Sequence, residues 1–162
     1  MKIVTVPNKI LTTPTKPVEK FNEDLKKLVA QMEEVLKNQR NPEGVGLSAN
    51  QIGVDLRVAV VRLNSEDKAP PNLLAIVNPK ITKSSKEMSE GYEGCLSIPK
   101  KYAPLKRAQA VTIEGQDLQG NPLKLHAQGF LARIFQHEID HLNGKLITDR
   151  AKGKTLSAEE LH

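Results

Sequence analysis

The 162-residue sequence predicts an α+β fold in a single domain, residues 1–162. Three observations carry this. An amphipathic helical pattern lies near the N-terminus, and short β-branched runs fill the middle. A second helical pattern, apolar on most sides, spans 129–143. A helix that is apolar nearly all round packs on several sides at once. The expected architecture is therefore mixed or antiparallel sheets around a central C-terminal helix.

Each element has its own local reason. "TTPTKPVEKFNED" is extended and punctuated by proline before it enters the first helix, where Asn22 suits the N-cap. Leu25, Leu28, Val29, Met32, Val35 and Leu36 follow at helical spacing and define a buried face. "NQRNPEG" ends this helix, because Pro42 cannot continue it. "LRVAVVRL", Leu56 to Leu63, reads as a strand. "SEDKAPPN" is a loop, and "LLAIVNP" is a second strand closed by Pro79. "KSSKEMSEGYEG" is polar and glycine-bearing, a surface loop or an irregular edge. "AVTIEG" and "PLKLHAQ" pair across "QDLQGN", with Gly120-Asn121 at the turn. In the last helix Leu131, Ile134, Phe135, Ile139 and Leu142 are apolar, and Gly144 is its stop.

Composition narrows the function classes. Lys and Arg number 24 against 19 acids, a net charge of +5, but the charges are interspersed as on an ordinary solvated surface. No zinc-finger spacing or aromatic RNA-binding signature accompanies them, so no specific nucleic acid is expected, and a weak attraction to ribosomal RNA is the most the charge supports. No apolar run is long enough to cross a bilayer, and the first residues lack a secretory or transit pattern, so a cytoplasmic protein without a membrane partner is expected. The single cysteine, Cys95, excludes an internal disulfide.

The chemistry lies in "FQHEIDHLNG". Residues four apart share one helix face, so His137 and His141 present two imidazoles to one point. Glu138 between them, in a helix otherwise rich in Leu, Ile and Phe, would be costly to bury without a metal or a partner. The pattern is that of a metal-dependent hydrolase. Glu138 is rotated off the ligand axis, which suits a general base toward water rather than a ligand. Asp140 either supports a ligand from outside or faces another part of the chain.

Two imidazoles need a third ligand. A histidine three residues past Gly144 would complete a metzincin pattern, but Ile147 stands there. Glu159 or Glu160 in "LSAEELH" would give a thermolysin-like metallopeptidase; they lie at a terminus expected to fray. Cys95 in "EGCLSIP", beside Gly94, would supply a thiolate and leave a fourth position open, as catalytic sites do. The thiolate reading is favoured, with the terminal-glutamate peptidase as its alternative.

Three separated segments, "GVGLSANQ" (Gly44 to Gln51), "EGCLS" (Glu93 to Ser97) and "QHEIDHLNG" (Gln136 to Gly144), occur in the order found in peptide deformylases, and the chain resembles that family over most of its length. The resemblance implies one divalent ion per chain, Fe²⁺ in the cell and replaceable by Zn²⁺, Ni²⁺ or Co²⁺, held by Cys95, His137 and His141. It implies Glu138 as catalytic acid/base, and Gln51 with the backbone N–H of Leu96 as stabilisers of the oxyanion. The implied substrate is the N-formylmethionyl start of a nascent peptide, the product is formate, and docking at the ribosome near the exit tunnel is implied for members with a longer C-terminal helix than this chain's.

"GVGLSA" also satisfies a dinucleotide-binding pattern, but it follows a helix and leads to a strand, the wrong context for one. Its glycines suit an edge where an extended peptide adds as a strand. In the family that edge is backbone around Val45, Gly46 and Gly94. Phe130 and Ile134, on the histidine side of the helix, are the candidates for the methionine pocket, although plain core packing would use the same residues. Ser48 replaces an alanine of the family pattern, with no functional loss expected. The family often carries an arginine soon after "EGCLSIP"; here "KKYAPLKRA" follows, with Lys100 and Lys101 first and Arg107 later. His126 and His162 are assigned no role.

Overall fold

The computed structural model describes residues 1–39, 44–64 and 70–161. It has the α+β architecture, and every strand pair among the described residues is antiparallel. Helix α1 (Glu23–Lys37) begins where Asn22 Oδ1 accepts from the Leu25 N–H at 3.2 Å. Its buried face is the expected one, Leu25, Leu28, Val29, Met32 and Leu36, with Val35 half-buried beside it. Pro42, the expected helix stop, and most of the "SEDKAPPN" loop lie outside the described residues.

Strands β1 (Gly46–Ser48), β2 (Val58–Arg62), β3 (Leu73–Ser84), β6 (Ala110–Gln116) and β7 (Pro122–Gln128) form a five-stranded sheet in the order β1-β2-β3-β6-β7. Strand β2 is buried on both faces. Val58 and Val60 join the cluster around α1, while Ala59 and Val61 join the cluster around α2 (Gly129–Leu142). That two-sided burial explains the uninterrupted apolar run "VAVV". The second sheet is β4-β5-β8, from β4 (Met88–Cys95), β5 (Ile98–Ala108) and β8 (Leu156–Ser157).

One expectation is corrected and one alternative is decided. Pro79 does not close its strand: β3 continues to Ser84 through a register shift between Val77 and Lys80. The Asn78 side chain fastens the bulge by accepting from the Val18 N–H at 2.8 Å and donating to the Val18 carbonyl at 3.0 Å. The polar segment after Ser84 takes the edge alternative rather than the loop: β4 lies at the edge of its sheet and pairs with β5 from Met88↔Ala108 to Cys95↔Ile98, with a register shift between Gly94 and Cys95. Its inward residues include Glu93, and a buried charge disguises the alternation by which a strand is read. Near the C-terminus Leu156 and Ser157 pair with Tyr102 and Lys101, and α4 (Ala158–Leu161) follows.

The central helix α2 is held at its C-terminal end, where carbonyls lack helical partners. Both the N–H and Oγ1 of Thr15 donate to the Leu142 carbonyl at 2.9 Å, and Asn50 Nδ2 donates to the His141 carbonyl at 2.7 Å. Gly144 has a φ of +77°, and a Cβ there would lie 2.9 Å from the backbone of Thr12 and Thr13. The N-terminal strap thus passes tightly under the helix end and fixes how its histidines point. Among the described residues no helix is long and apolar enough to cross a membrane.

Candidate metal centre

Cys95 ends β4, and His137 and His141 project from α2 toward it. Cys95 Sγ lies 3.2 Å from His141 Nε2, which lies 3.1 Å from His137 Nε2. The three ligand atoms all fall within 4.8 Å of one another. In a tetrahedral site with ordinary bond lengths, two nitrogens stand about 3.3 Å apart and a nitrogen and a sulfur about 3.6 Å apart. The Cys95–His141 and His141–His137 spacings are close to that, and one thiol with two imidazoles is a donor set that fits a divalent ion. Glu159 and Glu160 are exposed on α4 and outside this cluster, and Ile147 is buried in α3 (Ile147–Arg150). The terminal-glutamate peptidase alternative is therefore not supported.

No local pattern in the sequence indicates what orients His137. Glu93, two residues before Cys95, accepts from His137 Nδ1 through Oε1 at 2.9 Å, which leaves Nε2 to face the cluster. Arg107 donates to both oxygens of Glu93 at 2.9 Å and to Asp140 at 2.6 Å. Burial opposes the charge on Glu93, yet Arg107 and His137 together hold its carboxyl well below the usual range. Asp140 bonds to Arg107 and, at 2.7 Å, to Arg150, so it supports the ion-pair cluster rather than a ligand. Arg107 itself is 3 % exposed and does not face a peptide. Tyr102, from the same stretch, lines the cleft instead, with its ring against Gly94.

Removing one member of such a cluster strands buried charge. Arg107→Met should lower unfolding free energy by about 3–5 kcal/mol, measured by denaturant titration of the metal-free protein. A loss below 1 kcal/mol would mean that Glu93 and Asp140 find other partners.

Glu138 is 2 % exposed, and its Oε2 has no hydrogen-bond partner among the described residues. Burial pushes its carboxyl up to about 7, against the opposing pull of His137. Burial and the neighbouring His137 hold His141 well below its ordinary range. Burial works against protonation of His137 as well, but contacts with Cys95 and Glu93 raise it well above. The two imidazoles, with ring centroids 4.8 Å apart, thus differ in proton affinity: Cys95 and Glu93 favour the proton on His137, while burial and the neighbouring His137 disfavour it on His141.

Gln51 is buried with its amide fixed at one end. Its Oε1 accepts from the N–H and the hydroxyl of Ser48, both at 3.0 Å. Its Nε2 is therefore turned toward the cluster, 3.2 Å from Ser97 Oγ and 3.8 Å from Cys95 Sγ. Ser48 is thus more than a small residue. Leu96 sits in the β4–β5 turn beside Cys95 and lines the same space.

A cleft of about 290 Å³ opens over the cluster. Val45, Gly46, Gly94, Leu96, Phe130 and Ile134 all line it. Phe130 is 62 % exposed and Ile134 7 %, so one stands at the rim and the other in the wall. Among the described residues strand β1 is the edge of its sheet, and its Gly46 lines the cleft. A Cβ on Gly46 would lie 2.8 Å from Glu138 Cγ, so the edge strand runs directly over that side chain. Tyr92, Tyr102 and Arg133 also line the cleft and were not singled out in the sequence. Arg133 precedes His137 by four residues, a spacing that could have revealed it.

Comparison with known proteins agrees with this geometry. The family model described as Polypeptide deformylase matches residues 1–156. The chain is 45 % identical over 159 residues to the peptide deformylase of Dictyoglomus thermophilum, covering 98 % of this chain and 97 % of that one. Among solved structures, the peptide deformylase of Thermotoga maritima superposes with a TM-score of 0.83 at 35 % identity, covering 92 % and 95 % of the two chains. Peptide deformylase 1B of Arabidopsis thaliana, in complex with an inhibitor, superposes with a TM-score of 0.85 at 37 % identity, covering 99 % and 84 %.

Proposed function

The chain belongs to the polypeptide deformylase family, and on that premise we propose how its residues remove the N-formyl group from the terminal formylmethionine of newly made polypeptides. In this hydrolysis water adds to the formyl carbon, the C–N bond breaks, and formate and a free amino terminus leave. The observation that carries the reading is the convergence of Cys95, His137 and His141 at a cleft lined by Gly46 of the edge strand β1, with a buried carboxyl at Glu138.

Cys95, His137 and His141 would hold one divalent ion, which supplies Lewis acidity toward the formyl oxygen and makes water nucleophilic at neutral pH. We assign iron(II) in the cell, with zinc, nickel or cobalt able to replace it; one thiolate and two imidazoles suit all of these borderline ions. The peptide adds to the edge of β1 by backbone hydrogen bonds at Val45 and Gly46, with Gly94 bordering its other side. Its methionine side chain rests against Phe130 and Ile134. Gln51 Nε2 and the N–H of Leu96 point at the formyl oxygen as it gains charge, and one such donor lowers the barrier by about 3–4 kcal/mol. Glu138 takes the proton of the attacking water and returns it to the departing amine. A carboxyl pushed up to about 7 suits both halves of that exchange. We take residues 1–162 as one catalytic domain acting in the cytoplasm, and the net charge of +5 supports a weak attraction to ribosomal RNA where formylated chains emerge.

Gly46→Ala tests the contact between strand and base. The added methyl must displace Glu138, and a misplacement of that size should cost about 10²-fold in kcat. An unchanged kcat would detach Glu138 from the reaction. The function itself is tested by formate release from a short formyl-Met peptide after anaerobic loading with Fe²⁺. An acetyl-Met peptide should be inert, because only hydrogen stands behind a formyl carbonyl. Equal turnover of both peptides, or internal cleavage without formate, would contradict the assignment.

A further inference from the structure

Among the described residues, Arg133 is the arginine that both lines the peptide cleft and joins the ion-pair cluster behind the metal ligands. From α2, Arg133 Nη1 reaches Glu93 Oε2 at 2.5 Å. Its Nη2 donates to the Ser89 carbonyl at 2.8 Å and to the Ser89 hydroxyl at 3.2 Å, and the guanidinium lies under Gly91. Ser89, Gly91 and Glu93 are all on β4, the strand that ends in Cys95. The helix that carries Arg133 carries both histidines. One planar side chain therefore clamps the thiol strand to the imidazole helix, and it does so one hydrogen bond away from His137.

The carboxylate of Glu93 is shared four ways. Oε1 accepts from His137 Nδ1 and Arg107 Nη2, and Oε2 accepts from Arg107 Nε and Arg133 Nη1. Arg107 alone would leave the carboxylate free to pivot about the axis between its two bonds. Arg133 approaches Oε2 from the cleft side and removes that freedom. A carboxylate that cannot pivot holds the His137 ring, and hence Nε2, in one direction.

We propose that Arg133 is a positioning residue for the metal site, acting on His137 through Glu93 and on Cys95 through the Ser89 end of β4. The inference deepens the deformylase reading and rests on it. Lysine cannot replace the arginine fully, since an ammonium has no planar fork to span Glu93 and Ser89 together.

The test uses the full chain loaded with Co²⁺, whose visible absorption reports ligand geometry. Arg133→Leu keeps an apolar stem in the cleft wall and should weaken Co²⁺ binding about 10–100-fold, with altered absorption bands and a lower kcat for a formyl-Met peptide. Arg133→Lys should fall between wild type and Arg133→Leu. In a Glu93→Gln background, Arg133→Leu should weaken Co²⁺ binding by less than half, in logarithmic terms, of its effect in wild type, because the route through Glu93 is already cut. Arg150→Leu removes an ion pair from the same cluster at Asp140 and is the control for general loosening; it should leave Co²⁺ affinity within about twofold. Arg133→Leu with unchanged affinity and spectrum, full additivity with Glu93→Gln, or an equal loss in Arg150→Leu would each overturn the role. Where Arg133→Leu does not fold, Arg133→Lys decides between the same outcomes. Wild type that binds Co²⁺ without its spectral signature of sulfur ligation would instead refute the metal site on which the inference rests.

Discussion

Cys95→Ala is expected to release no formate above background and to bind a divalent ion far more weakly than wild type. The thiol is one of three donors, and a site of two imidazoles alone has neither the charge nor the geometry to hold the ion. Loss of a partner one shell out typically costs 10–100-fold in affinity, so loss of a ligand should exceed about 100-fold. The change removes a single buried atom at the edge of a small cluster, so the metal-free protein should melt within a few degrees of wild type. Metal titration with calorimetric melting separates these effects. Retained affinity in Cys95→Ala would remove the thiolate from the ligand set. A collapse of the metal-free melting temperature would make the cysteine structural instead.

Glu138→Gln has the second largest expected effect, and it dissects the site differently. The amide matches the carboxyl in shape but cannot take a proton, so kcat should fall by about 10²–10⁴-fold. Metal affinity should stay within a few fold, because Glu138 is outside the ligand cluster. Stability should move in the opposite direction. In the metal-free protein, burial raises this carboxyl to about 7 from an ordinary 4.5. The folded state then binds more protons than the unfolded state between those values, so the ionised group loses stability as pH rises through that window. At pH 8 the metal-free Glu138→Gln protein should therefore melt at or above wild type, whereas at pH 5 the advantage should vanish. Full activity in Glu138→Gln would require another base.

These predictions depend on features that differed in how openly the sequence displayed them. The two long helices were legible because their signals are local. Asn22 caps one and Gly144 ends the other, and the apolar spacing between is that of a helix. The histidine pair was legible for the same reason, since four residues of helix fix the relation of His137 to His141. The hairpin that delivers Cys95 was not. Its inward side carries Glu93 and Arg107, two charges that are tolerable in the interior only because they meet each other. A sequence shows the charges but not the pairing, so the strand reads as surface. The partnership of Glu93 with His137 spans 44 residues and depends on the register of β4 against β5 and on the placement of α2. The same register puts Tyr102 over Gly94 and leaves Arg107 buried, which the order of basic residues alone does not show. Pro79 misled because the register shift beside it lets a strand run on past a residue that cannot donate.

The most direct measurement is X-ray absorption at the zinc edge of reduced, zinc-filled protein whose iron-loaded form releases formate. The account predicts one sulfur at about 2.3 Å and two imidazole nitrogens at about 2.0–2.1 Å in the first shell, with the sulfur lost in Cys95→Ala. A shell of nitrogen and oxygen only, in protein that is metal-filled and reduced, would contradict it.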